Sequence, residues 1–98
     1  MTATDAEAAQ RAAEQLGVLA ENLVGRGFAA YLIEVGNRPC LMVASRSVPQ
    51  FPEKVYAALA DDGSWWFWWS WADRIALVGE VETAAFKIAY VLTPQADD

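Results

Sequence analysis

Residues 61–71 read DDGSWWFWWSW, a turn signal followed by a run that contains all five tryptophans of the chain. An Asp-Gly pair between two apolar runs is a strong hairpin signal. The preceding run, KVYAALA at residues 54–60, has the composition of a strand. We therefore expect two antiparallel strands joined at residues 61–63. Because successive side chains of a strand point to opposite faces, the length of this turn decides which aromatic side chains enter the core.

Two turn geometries fit these residues. A two-residue type I′ turn on Asp62 and Gly63 would pair Ala60 with Trp65, and it would leave most of the aromatic side chains facing away from the core. A three-residue loop with Gly63 in the left-handed bulge position would instead pair Leu59 with Trp65.

The three-residue loop collects the large side chains of both strands on one face. That face then holds Val55, Ala57, Leu59, Trp65, Phe67, Trp69 and Trp71. We favour this register because each additional aromatic side chain kept from water contributes favourable free energy at about 25 cal/mol per Å² of buried area. The opposite face keeps Tyr56, Ala58, Ala60, Trp66, Trp68 and Ser70.

Periodic patterns predict the remaining elements. Apolar residues three and four apart indicate a helix over residues 4–24 and a second helix from Glu82 to Leu92. The runs FAAYLIEV and PCLMVAS, separated by GNR at residues 36–38, are typical of two strands in a hairpin. VPQFP at residues 48–52 is expected to be a loop with Phe51 turned back onto the core.

The element order α-β-β-β-β-α predicts an α+β fold. We expect a two-layer sandwich, in which the N- and C-terminal helices cover one face of a four-stranded antiparallel meander. A length of 98 residues suits a single domain over residues 1–98. Its ends, about residues 1–4 and 94–98, are expected to fray.

Charge and composition narrow the functional class. The chain has 13 acidic and seven basic residues, a net charge of −6 and no basic run, so nucleic acid is not an expected partner. Its longest apolar stretch, residues 65–69, is too short to span a membrane. The acidic, alanine-rich start lacks the pattern of a secretory signal, and a single cysteine fits a reducing compartment. We therefore expect a cytoplasmic protein with no membrane partner.

No residue pattern predicts catalysis. The chain has no histidine, the commonest general base and metal ligand, and no zinc, P-loop or dinucleotide motif. We interpret Cys40 as a small buried strand residue, Asp61 and Asp62 as turn residues, and Asp73 with Arg74 as a solvated surface pair. We therefore expect a non-enzymatic protein with no catalytic residues, no metal and no cofactor.

The aromatic face turned away from the helices is the candidate functional site. Large exposed apolar patches are uncommon on small monomers, and Trp and Tyr are favoured interface anchors. The sequence predicts an interaction or accessory regulatory module that binds another protein, or a second copy as a homodimer, through Tyr56, Trp66 and Trp68. Three alternatives stay open. Neighbouring strands and the loop at residues 48–52 could cover these rings, or the rings could stack on a sugar or a nucleobase. The domain could also bind a small ligand in a pocket between helices and sheet.

The segment GSWWFWWSWADRIALV, followed by the helix TAAFKIAYVL, resembles the C-terminal half of small uncharacterised actinobacterial proteins. In that family a strand of the WWFWWSWG type precedes an acidic loop and a closing helix. The likeness covers residues 48–92, and the tryptophan run is its specific part. Ala72 and Asp73 depart from it, because they stand where the family has a glycine and an acid. The resemblance implies this fold and a cytoplasmic setting, and it implies no activity.

Overall fold

The computed structural model describes residues 3–93; within that range it leaves out the side chains of residues 3–5 and 48. The described part forms, in chain order, α1 (Ala3–Gly25), β1 (Phe28–Val35), β2 (Arg38–Ser45), β3 (Val48–Leu59), β4 (Trp65–Trp69), β5 (Arg74–Leu77) and α2 (Val81–Leu92). The strands make one antiparallel sheet in chain order. The predicted α+β meander with flanking helices is confirmed, but the sheet has five strands instead of four. The expected fraying concerns residues 1–4 and 94–98, of which only 3 and 4 are described, within α1.

The hairpin at residues 61–63 adopts the three-residue loop that the hydrophobic pattern favoured. The backbone N–H of Gly63 donates to the carbonyl oxygen of Ala60 at 3.0 Å, and the N–H of Ala60 donates to that of Ser64 at 2.8 Å. Gly63 has a φ of 85°, so a type I turn is followed by a left-handed bulge. The resulting cross-strand pairs are Leu59 with Trp65, Ala57 with Phe67 and Val55 with Trp69.

One core lies between the helices and one face of the sheet. α1 packs on β1, β2 and β3, while α2 packs on β5 and on α1. Phe67, in the middle of β4, is fully buried at its centre. The helices contribute Ala12, Leu16, Leu19, Leu23, Ala84, Ala85 and Ile88, and the sheet contributes Leu41, Val43, Val55, Ala57, Phe67, Trp69 and Ile75. Both helices thus cover the same face, and within residues 3–93 no helix covers the other.

β3 is longer than predicted because residues 48–52 belong to it. Val43 of β2 pairs with Glu53, and Ser45 pairs with Val48, so β3 advances by five positions where β2 advances by two. The extra residues of β3 form a bulge. The two prolines of this segment fit there because they need not donate to a regular ladder. Phe51 is 68% exposed. The prediction of a loop and the prediction that Phe51 turns onto the core are therefore both wrong.

β5 is the strand that the pattern missed, since its four residues, RIAL, are too few to show a period of two. The turn before it repeats the bonding of the hairpin at residues 61–63. The N–H of Ala72 donates to the carbonyl oxygen of Trp69 at 3.0 Å, and the N–H of Trp69 donates to that of Asp73 at 2.8 Å. Ala72 has a φ of 71°. An alanine therefore occupies the left-handed position that favours glycine.

Candidate functional site

We call the sheet face opposite the helices the outer face. Strand register places on it Ala29, Tyr31, Ile33, Val35, Arg38, Cys40, Met42, Ala44, Lys54, Tyr56, Ala58, Trp66, Trp68, Arg74 and Leu77. This register brings the three predicted binding residues together. Tyr56 is paired directly with Trp68, and Trp66 is paired with Ala58 two residues further along β3. All three aromatic side chains are half-buried, and we call them the aromatic cluster.

The indole N–H groups of the aromatic cluster are both used inside the protein. Trp68 Nε1 donates to the carbonyl oxygen of Ala58 at 3.1 Å, which holds this ring against β3. Trp66 Nε1 donates to Ser64 Oγ at 2.9 Å, and that hydroxyl donates to Asp62 Oδ1 at 2.6 Å. Each indole is thus held by a hydrogen bond, and the surface it offers to a partner is ring carbon instead of a free N–H donor.

Asp62 ends this chain of hydrogen bonds. The same carboxylate oxygen also accepts from the backbone N–H of Ser64 at 3.0 Å. The hydroxyl and amide hydrogen bonds from Ser64 lower the pKa of Asp62, and the charge of Arg74 acts more weakly in the same direction. Asp62 is therefore a turn residue, as the sequence predicts, and its charge is engaged by its own hairpin.

Two arginines lie over the aromatic cluster. Arg74 Cζ is 4.9 Å from the centroid of the Trp66 ring and 5.4 Å from that of Trp68, and Arg38 Cζ is 4.8 Å from that of Tyr56. These are cation–π distances. Neither guanidinium makes a hydrogen bond or an ion pair with the atoms that the structure describes, which do not include the side chains of residues 3–5 and 48. The surface above the aromatic cluster is therefore cationic.

The phenol of Tyr56 has a raised pKa. Burial is the larger cause and the neighbouring Cys40 thiol adds to it, while the charge of Arg38 acts in the opposite direction. The side chain therefore stays neutral up to alkaline pH. Cys40 itself is fully buried, which confirms the prediction of a small buried strand residue.

Asp73 and Arg74 do not form the surface pair that the sequence predicts. Asp73 Oδ2 accepts from Trp71 Nε1 at 3.0 Å, whereas Arg74 is paired with Trp68 and belongs to the outer face. The pairing prediction is wrong because it was made without β5. Had β5 been recognised, alternation from Trp68 across the second turn would have placed Arg74 over the tryptophans.

Sequence reasoning also missed the width of the outer face. Tyr31 and Val35 on β1 are exposed, and register places both on the same face as Tyr56. A signal for this was available, because the alternation of FAAYLIEV sets Tyr31 and Val35 on one side of their strand. The candidate surface thus reaches from β1 at one edge to Arg74 at the other.

A second apolar surface lies beside α2. Phe86 and Tyr90, 62% and 66% exposed, border a groove of about 390 Å³ together with Trp69. Trp71, predicted to join the core face, is 50% exposed and stacks on Trp69 with ring centroids 4.8 Å apart and planes at 8°. The prediction for Trp71 is wrong because β4 ends at Trp69, so strand alternation no longer applies.

An apolar cleft opens between α1 and the end of the sheet. Its volume is about 480 Å³, within the range of small-ligand sites. Small side chains leave this space, since the lining includes Ala8, Ala9, Ala12, Ala57 and Ala58. Asn37 and Arg38 are the polar side chains among its lining residues.

Two features are absent from the described residues. Among their side chains, no three of His, Cys, Asp or Glu gather in a group that could hold a metal ion. Neither described helix is both long and apolar enough to cross a membrane.

Comparisons with protein-family models, with curated proteins and with solved structures find no match to this chain. The resemblance to small actinobacterial proteins therefore stays a prediction.

Proposed function

We propose that this protein is a non-enzymatic interaction module, cytoplasmic as its sequence predicts, that binds a protein partner through the outer face. The observation that carries the proposal is the half-buried cluster of Tyr56, Trp66 and Trp68 on a sheet face that no described helix covers. Trp and Tyr are enriched at the centres of protein interfaces, because their large rings bury much area with few rotatable bonds.

The aromatic cluster is held in place by contacts within the protein. Hydrogen bonds hold the indoles of Trp66 and Trp68, and Arg38 and Arg74 lie over the three rings. Side chains that are already ordered lose little conformational entropy on association. This favours a preformed docking surface over one that assembles on binding.

The dimensions of the outer face suit an extended segment of a partner. Five strands have four spacings of about 4.8 Å, so the face is about 19 Å across. At about 3.3 Å per residue, roughly six residues of extended chain cross it. We therefore expect the partner to contribute a short segment that crosses the sheet.

The test is selection of a phage-displayed library of random linear peptides on the immobilised protein. A variant with Tyr56→Ser, Trp66→Ser and Trp68→Ser should lose the selected peptides. The control is Phe86→Ser with Tyr90→Ser, which removes two exposed aromatic rings from α2 and should keep the selected peptides. Circular dichroism checks that each variant is folded.

A second variant covers the case in which the triple substitution unfolds the protein. Ala58→Glu adds a long charged side chain beside Trp66 and leaves every aromatic ring in place, so it should block binding in a folded chain. Peptides that survive Ala58→Glu, or that are lost only in the helix-side control, would overturn the proposal. Light scattering over a dilution series on the wild type measures whether the partner is a second copy.

Small-ligand binding is the second candidate function, and the cleft of about 480 Å³ beside α1 favours it. A pool of metabolites should then raise the melting temperature of the wild type. Ala9→Phe, which fills the cleft from α1, should abolish the rise and leave peptide selection on the outer face unchanged. The absence of any stabilising metabolite would exclude this second candidate.

A further inference from the structure

We infer that the partner segment is acidic, and that Arg38 and Arg74 bind its carboxylates while the aromatic cluster holds its apolar side chains. This inference rests on the proposed function, because it assigns the chemistry of the partner at the same face.

The outer face carries charge opposite to that of the whole chain. It holds three of the seven basic residues, Arg38, Lys54 and Arg74, and no Asp or Glu occurs among the positions that the register places there. On the other side of the sheet, α1 carries four acidic residues and one arginine, and the net charge of the chain is −6. A positively charged face favours a negatively charged partner and repels a positively charged one.

The guanidiniums of Arg38 and Arg74 are placed to receive carboxylates. A guanidinium that lies over a ring uses its face for that contact, so its in-plane N–H groups remain as donors. Among the described side chains and backbone atoms, neither arginine has a hydrogen-bond acceptor or an ion-pair partner. Contact with the rings also restrains both side chains, and a planar fork of this kind bonds a carboxylate bidentately.

The same charges disfavour a face-to-face homodimer. A twofold dimer brings identical patches of the two copies together. The interface would then contain Arg38, Lys54 and Arg74 of both copies, while Asp62, which interacts weakly with Arg74, is already hydrogen-bonded within its own hairpin. Juxtaposed like charges oppose association, so we commit to a different, acidic chain as the occupant.

Arginine above aromatic rings is also a feature of single-stranded nucleic acid sites. Such sites track a backbone that carries a phosphate at every nucleotide, and they need clustered cations to do so. Here three cations lie on a chain of net charge −6, which opposes a long polyanion. An acidic peptide combines a few carboxylates with apolar side chains, which are the two kinds of group that guanidiniums over a hydrophobic cluster can bind.

The peptide selection described above tests the inference through the charge of its products. Peptides that depend on the outer face should be enriched in Glu and Asp together with aromatic or aliphatic residues. The most enriched peptide, made synthetically, is then titrated against the wild type and against Arg38→Gln and Arg74→Gln. Each substitution should weaken binding about tenfold, the usual effect of losing a charge-assisted hydrogen bond.

Arg11→Gln is the matched control. Its Cζ lies 5.8 Å from the centroid of the Trp65 ring, so the change removes the same charge from the same kind of contact, on the helix side of the sheet. This variant should bind the peptide within about twofold of the wild type, because screening limits the reach of a distant charge. Raising the ionic strength should weaken binding to the wild type more than binding to Arg38→Gln with Arg74→Gln.

The outcomes separate the two claims. Neutral or basic peptides that need the outer face would overturn the acidic partner and leave the proposed function standing, as would acidic peptides that bind Arg38→Gln and Arg74→Gln unchanged. The absence of peptides that need the outer face would overturn the proposed function itself. Tighter binding of a mixed-sequence single-stranded oligonucleotide than of the selected peptide would assign the face to nucleic acid instead.

Discussion

The guanidinium carbon of Arg74 lies 4.9 Å from the centroid of the Trp66 ring and 5.4 Å from that of Trp68. One side chain of β5 thereby bridges two indoles of β4. The turn between β4 and β5 sets this arrangement. Ala72 in that turn is left-handed, and two residues later Arg74 pairs with Trp68. The chemistry of the outer face therefore depends on a turn that lies at the edge of the sheet.

Arg74→Gln should change the environment of the outer tryptophans specifically. Loss of the cation should shift the indole N–H resonances of Trp66 and Trp68 and lower the free energy of unfolding by about 0.5–1 kcal/mol. Proton–nitrogen correlation spectra and urea denaturation measure the two effects. Arg11→Gln should shift Trp65 instead, and an equal shift of all five indoles by Arg74→Gln would contradict the geometry.

Ala72→Gly should stabilise the protein. Relief of the left-handed backbone at φ 71° is worth about 1–2 kcal/mol, and the greater freedom of glycine in the unfolded chain offsets about half of it. The converse change, Gly63→Ala, should destabilise by about 1 kcal/mol through its φ of 85° alone, because nothing lies within 4 Å of an added Cβ there. Thermal unfolding measures both, and a higher melting temperature for Gly63→Ala would be the contrary result.

Phe67→Ala should be the more damaging of two phenylalanine deletions. Phe67 is fully buried, whereas Phe51 is 68% exposed. Removing the buried ring leaves a cavity and should cost about 3–5 kcal/mol, while Phe51→Ala should stay within about 0.5 kcal/mol of the wild type. Urea denaturation gives both values, and a large loss for Phe51→Ala would mean that the bulged part of β3 packs on the core.

Asp62 should contribute stability that disappears in acid. Its folded-state pKa lies below the ordinary value of 3.8, so the contribution is present above that pH and is lost as the pH falls through the lowered pKa. Asp62→Asn keeps an oxygen acceptor and removes the titration. The difference in unfolding free energy between wild type and variant should therefore shrink below about pH 4. Asp61→Asn is the control, because it removes a carboxylate from the same turn. If the difference in unfolding free energy between the wild type and Asp61→Asn shrank equally in acid, the hydrogen bonds from Ser64 would not be the cause.

Tyr56 should contribute to the alkaline limit of stability. Because burial raises its pKa above the ordinary value of 10.0, its contribution is present below that pH and is lost as the pH rises through the raised value. Tyr56→Phe should flatten the fall in unfolding free energy above about pH 10. Chemical denaturation across alkaline pH measures it, with Tyr31→Phe as the control at an exposed position. Parallel curves for wild type and Tyr56→Phe would show that the phenol is not coupled to folding.

The register of the central hairpin could be predicted from the sequence because its determinants are local. Gly63 suits a left-handed position, and the alternation of Val55, Leu59, Phe67 and Trp69 favours one pairing over its neighbour by buried area. Trp71 shows where that reasoning stops. Alternation assumes that the strand continues, whereas β4 ends at Trp69.

The predictions for Phe51 and Arg74 are wrong for a different reason. Phe51 lies in a bulge created by the pairing of β2 with β3, and Arg74 reaches the tryptophans only through the pairing of β4 with β5. A four-residue strand has too little pattern to be recognised. The aromatic half of the candidate site was therefore predictable, and the cationic half was not.

The sequence by itself determined the α+β class, the helices at both ends and the outward position of Tyr56, Trp66 and Trp68, because helix periodicity, strand alternation and turn chemistry act between residues close in the chain. Only the tertiary structure decided that Arg38 and Arg74 lie over those rings and that Tyr31 and Val35 of β1 extend the same face. Alternation within β1 groups Tyr31 with Val35, but the pairing of the strands, whose register depends on the whole sheet, decides which face that group joins.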